Sequence, residues 1–109
     1  MNQMEKQTIK TAQKFDKKSF TKKDVFRTKN SIMFMLNFLP NQQMPAHNHP
    51  GYELYLHVVQ GEGTFTINKE KVDVVEDDVI HCGNDEMIEF TNTGSEAVSI
   101  YVTMSRLNR

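Results

Sequence analysis

His47 and His49 are separated by a single residue, and a carboxylate, Glu53, follows after three more. Alternate residues of an extended strand share a face, so the two imidazoles can present nitrogens to one point. Neutral imidazoles suit Mn, Fe, Co, Ni, Cu or Zn, and a carboxylate adds charge and hardness. A site of that kind binds oxygen or polarises a substrate carbonyl. Glu86 is a further candidate donor, farther along the chain. An H-x-H pair standing alone is usually two polar loop residues, so its surroundings decide its meaning.

Those surroundings carry a competing pattern. Leu54, Leu56 and Val58 follow Glu53 at alternate positions, as the inward face of a half-buried strand does. A strand has two faces, and a register shift of one residue exchanges them. Glu53 and the leucines therefore cannot all point inward unless a β-bulge between Glu53 and Val58 resets the alternation. The more amphipathic register has Leu54, Leu56 and Val58 inside, with Glu53, Tyr55 and His57 outside. His81 and Cys82 are adjacent, so on a strand they face opposite ways and make a poor nucleophile pair. Cys82 reads as a small buried hydrophobe, and His81 as a surface residue.

The elements that must position these residues are strands. From "SIMFMLNFLP" onward, short apolar runs alternate with turn signals about every ten residues. Strands are expected over 32–39, 52–60, 64–69, 70–78, 79–82, 87–92 and 97–104. With no helical period long enough for a crossover, the pattern is all-β, a sandwich or barrel. The segment "EKQTIKTAQKF" has room for a short helix but sparse apolar positions, so residues 1–14 are expected to be poorly ordered or to form an arm, and their removal to cost little.

At 109 residues the chain has room for one domain with a real core. Its net charge of −1 hides an asymmetry: residues 1–30 carry nine Lys or Arg against three Asp or Glu, whereas residues 31–109 carry four against eleven. A basic segment before an acidic body can mark a nucleic-acid arm. Here no nucleic-acid motif accompanies it, and Phe15, Phe20 and Phe26 argue that it packs on something, so nucleic acid is not the expected partner. No run approaches the roughly 20 apolar residues of a membrane helix, and no apolar signal segment follows the start. One cysteine makes no intrachain disulfide. A cytoplasmic protein is expected.

Residues 32–104 resemble a small single-domain cupin. The first motif of that family reads H-x-H, three or four residues, Glu, six residues, Gly; the chain offers His47, His49, Glu53 and Gly61. Counted back from Gly61, the carboxylate position falls on Leu54. The second motif approximates G-D-x-V-x-V-P-x-G-x-x-H-x-x-x-N. Laid on Asp77 and Asp78, it brings Ile80 and Cys82 onto the valines, Ile88 onto the histidine and Asn92 onto the final asparagine. A count from Gly83 instead places Glu86 at the histidine but loses Asn92.

The resemblance implies a cupin-type double-stranded β-helix, a jelly-roll barrel of two antiparallel sheets over residues 31–109. Residues 1–30 would form a basic N-terminal arm and lead-in strand. It also implies a metal site inside the barrel, weakened by the loss of two ligands. His47, His49, tentatively Glu53, and Glu86 would hold a divalent metal such as Mn, Fe, Ni or Zn loosely, while Leu54, Leu56, Val58, Ile80, Cys82 and Ile88 line an apolar pocket. Three functions follow: a small-molecule-binding cupin, a metal-dependent dioxygenase or isomerase using His47, His49 and Glu53, or an interaction module docking through its arm. A homodimer is expected, with residues 31–39 and the arm at the interface, because sheet edges must be paired or covered.

Overall fold

The computed structural model of the chain describes residues 4–107; the first three residues of the expected arm and the last two of the expected barrel lie outside them. A single 3₁₀ turn, Ile9–Ala12, precedes nine strands: β1 (Thr21–Arg27), β2 (Ser31–Phe38), β3 (Gln43–His47), β4 (Tyr52–Gln60), β5 (Gly63–Ile67), β6 (Glu70–Val74), β7 (Val79–Cys82), β8 (Ile88–Thr91) and β9 (Val98–Arg106). They form two antiparallel sheets, five strands in the order β1-β2-β9-β4-β7 and four in the order β3-β8-β5-β6.

Alternation along the strands builds the core. Phe34, Leu36 and Phe38 of β2, Leu54, Leu56 and Val58 of β4, and Ile100, Val102 and Met104 of β9 all face the four-stranded sheet and are buried. Phe65 and Phe90 answer from the other side, their rings 4.7 Å apart, and Phe90 meets Phe38 at 4.8 Å. This aromatic cluster fills one end of the barrel. At the end of β4, the pairing with β9 shifts register between Val58 and Gln60. Gly61 follows at a φ of +85°, and a Cβ there would stand 2.5 Å from the Ala97 carbonyl oxygen, so only glycine fits.

The arm is more tightly held than its composition indicates. The turn Ile9–Ala12 packs on the outer face of β1 and β2. Asn37, fully buried on that face, donates from Nδ2 to the Ala12 carbonyl at 2.8 Å and to Thr21 Oγ1 at 3.1 Å; its Oδ1 accepts from Ser99 Oγ at 2.8 Å. Gln13 Nε2 donates to Gln60 Oε1 at 3.1 Å, and Gln42 Nε2 to the Asp16 carbonyl at 2.7 Å. Phe20 then turns over the barrel rim and stacks on Phe38 at 5.2 Å. The expectation of a poorly ordered segment is thus corrected over its described part. Its backbone carbonyls, the buried Ala12 and the Gln13 side chain dock it.

Candidate functional site: an apolar cavity with two histidines at its mouth

Leu54 and Leu56 of β4, Ile88 of β8 and Val102 of β9 line a cavity of about 320 Å³ in the barrel. Phe20 and Lys22 supply part of its wall from the arm and β1. His47 and His49 stand at its mouth, half-buried, with ring centroids 4.7 Å apart in an edge-to-face arrangement.

The two imidazoles have different surroundings. His47 Nδ1 lies 2.9 Å from the Pro45 carbonyl; a carbonyl only accepts, so Nδ1 donates, and in the neutral tautomer with that arrangement Nε2 is the acceptor. Burial, then the proximity of His47 and of Lys22, lowers the pKa of His49 below its ordinary 6.5. Lys22 holds its ammonium 4.6 Å from the centre of the Phe34 ring, a cation–π placement beside the cavity.

The carboxylates expected beside these histidines are elsewhere. Glu53 lies on the outer face of β4, where its Oε1 accepts a hydrogen bond from His81 Nε2 at 2.9 Å. Tyr55 stacks on the same His81 at 4.9 Å, and His57 Nε2 donates to Asp77 Oδ1 at 3.2 Å. The expectation of Glu53 as a metal ligand is corrected by the pleat: Leu54 is the inward residue, 3% exposed. The only register shift in β4 falls after Val58, too late to turn Glu53 around. Four residues separate His49 from Leu54, a spacing the first motif allows, so both ends of that motif converge on a leucine.

Glu86 is also committed away from the cavity, its Oε1 accepting from the Gly83 N–H at 2.7 Å. Ile88, where the second motif has its histidine, pairs directly with His47 across β3 and β8. Residues paired in this way share a face, so Ile88 occupies the place from which a third imidazole would reach the first two. Among the described residues no group of three or more His, Cys, Asp and Glu side chains is arranged to hold a metal ion. Two imidazoles fall short of the three protein ligands of catalytic zinc sites, and the residues present do not fit the metal centre that the motif implies.

Of the other expected pocket residues, Val58 and Cys82 are buried in the packed core and Ile80 is half-buried against it; none of the three lines the cavity. Burial first, and Glu86 second, push the Cys82 thiol up to about 11. The wall residues Phe20 and Lys22 were not anticipated. Lys22 had a faint signal, since it stands two residues after Phe20 and so shares its side of an extended chain.

Two facing antiparallel sheets that enclose a cavity, with an H-x-H pair at its rim and Gly61 closing the strand behind it, are the architecture of one family. A cupin-domain family profile matches residues 34–104. The chain belongs to the cupin family.

Solved structures agree on the fold. The cupin is similar to the protein TT1209 from Thermus thermophilus (16% identity, TM-score 0.88, 96% of this chain and 100% of that one). It is similar also to an RmlC-like cupin protein from Desulfovibrio desulfuricans (21%, 0.84, 94% and 97%). A third likeness is to an uncharacterized conserved protein with a double-stranded β-helix domain from Klebsiella pneumoniae (16%, 0.89, 97% and 93%). No curated protein matches the sequence. No described helix is long and apolar enough to cross a membrane.

Proposed function

We propose that this cupin is a cytoplasmic small-molecule-binding protein whose barrel takes an apolar or amphipathic ligand without a firmly held metal. One observation carries the reading: Leu54 and Ile88, at the two motif positions that would complete a metal shell around His47 and His49, both line the cavity. A cavity of about 320 Å³ with an apolar wall and a few polar groups at the mouth has the composition of a ligand pocket. His47 Nε2, with its lone pair free, accepts a hydrogen bond from the ligand. The same lone pair supports loose, dialysable metal binding as a second reading, and the dioxygenase or isomerase chemistry would need more donors than the cavity offers.

The test is a panel of small amphipathic compounds observed by methyl NMR, paired with elemental analysis of protein purified without affinity-column nickel. Perturbations confined to the methyls of Leu54, Leu56, Ile88 and Val102, in protein with little metal, support the binding module. A stoichiometric metal that survives dialysis overturns it.

A homodimer belongs to the same proposal, with its surface moved. β2 has a strand on each side, and its outward Met35 is fully buried on the strand that the Ile9–Ala12 turn packs against. Of the two edge strands of the five-stranded sheet, β1 and β7, the β7 end is the one proposed for a second copy, because Tyr55 and Val79 are exposed there. Sedimentation as a monomer at tens of micromolar would remove the dimer.

A further inference from the structure

The polar groups around the cavity are all bases. Lys22, His47 and His49 line it, and no Asp or Glu does, although residues 31–109 carry eleven carboxylates against four Lys or Arg. Lys22 is paired across β1 and β2 with Leu36, whose side chain faces the barrel interior, so the strand register itself aims the lysine to that side. Among the described residues the ion pairs are Arg27 with Asp24, His57 with Asp77 and His81 with Glu53, and none involves Lys22. Its ammonium rests instead over Phe34, a cavity residue.

We infer that the cavity selects a small carboxylate with an apolar body, the carboxylate received by Lys22 Nζ and the body lying against Leu54, Leu56, Ile88 and Val102. The inference rests on the small-molecule reading above and narrows it to a ligand class. Lys22 is an exposed residue, and its ammonium beside an apolar wall gains most from an anion that brings its own counter-charge, through a charge-assisted hydrogen bond. A cationic ligand meets Lys22 with no carboxylate to offset the repulsion. A neutral one leaves the ammonium where it is. The His47 Nε2 lone pair then accepts from any hydroxyl or amide N–H on the same molecule, which separates the roles of the two bases: Lys22 reads the charge, His47 reads a donor.

The experiment compares phenylpropionate, phenylpropionamide and phenylpropylamine, three ligands of like size and different charge, by methyl NMR titration of the full chain at neutral pH. The carboxylate is expected to bind about tenfold or more tightly than the amide, the equivalent of one charge-assisted hydrogen bond. The amine is expected to be weakest. Lys22→Met should collapse the preference for carboxylate over amide to within about twofold, and Lys22→Arg should retain most of it. Amide or amine binding in the cavity as tightly as the carboxylate, or a preference that survives Lys22→Met, overturns the ligand class and leaves the binding module standing. If none of the three perturbs the cavity methyls, the binding module falls with it.

Discussion

Glu53 and Leu54 are neighbours in sequence and opposites in space: Leu54 is 3% exposed inside the barrel, while Glu53 accepts a hydrogen bond from His81 on the outside at 2.9 Å. Leu54→Ala should therefore cost about 2–5 kcal/mol as a core truncation beside a cavity. Glu53→Ala, which removes a partly exposed pair, should cost no more than about 1 kcal/mol. Urea unfolding of the two variants compares them directly, and a larger loss for Glu53→Ala would mean that the register is the other one.

Restoring donors where the motif has them should create what the native cavity lacks. In Leu54→Glu with Ile88→His, four donors converge from β3, β4, β8 and the loop carrying His49. The double variant is expected to retain about one divalent ion per chain after dialysis, and the native protein far less. Equal metal content in the two would show that Ile88 does not stand where its pairing with His47 implies.

Asn37→Ala should destabilise the protein by about 1–3 kcal/mol, because Ser99 Oγ loses its buried partner and the Ala12 carbonyl loses its donor. Limited proteolysis should then cut before Phe20 sooner than in the native protein. Deleting residues 1–14 should cause a comparable loss, against the expectation from composition alone.

His49 gives stability a pH dependence of known sign. Its folded pKa lies below 6.5, so below that value the unfolded chain binds the proton first and the folded state is penalised as pH falls. Thermal midpoints should drop between about pH 7.5 and about pH 5.5, and His49→Gln should reduce the drop. An unchanged slope in the variant would assign the acid sensitivity to another group.

Cys82, fully buried and with its thiol pushed up to about 11, should be inert to thiol reagents at neutral pH until the protein unfolds. Modification of the native protein as fast as of the denatured chain would contradict its burial.

The barrel was legible wherever side chains alternate. The expected strands 52–60 and 79–82 match β4 and β7 residue for residue, since Leu54, Leu56, Val58, Ile80 and Cys82 recur at alternate positions with Glu53, His57 and His81 among the residues between them. β3 was missed because Pro45 and the polar "NQQ" before it carry no alternation, and its pairing with β8 is irregular between Met44 and His47. The Glu53 ambiguity came from two counts along one motif, and only the pleat of a formed strand decides between them. The phenylalanines announced that the basic segment packs, but the docking of its first part was invisible for a different reason: the Ala12 carbonyl that Asn37 holds belongs to the backbone, and no side-chain pattern announces it. Lys22 acquires its place at the cavity from pairing with Leu36, a long-range fact that no local run of "TKKDVFR" contains.

β9 lies between β2 and β4 in the five-stranded sheet, although nearly sixty residues separate it from the first and nearly forty from the second. During synthesis, β1 and β2 can pair early, but β4 has no inner neighbour and the cavity has no Val102 wall until β9 has been made. The nascent chain must therefore carry Phe34, Leu36, Leu54 and Leu56 without their β9 neighbours until the last strand is made, which makes assembly of the barrel a slow, high-contact-order process.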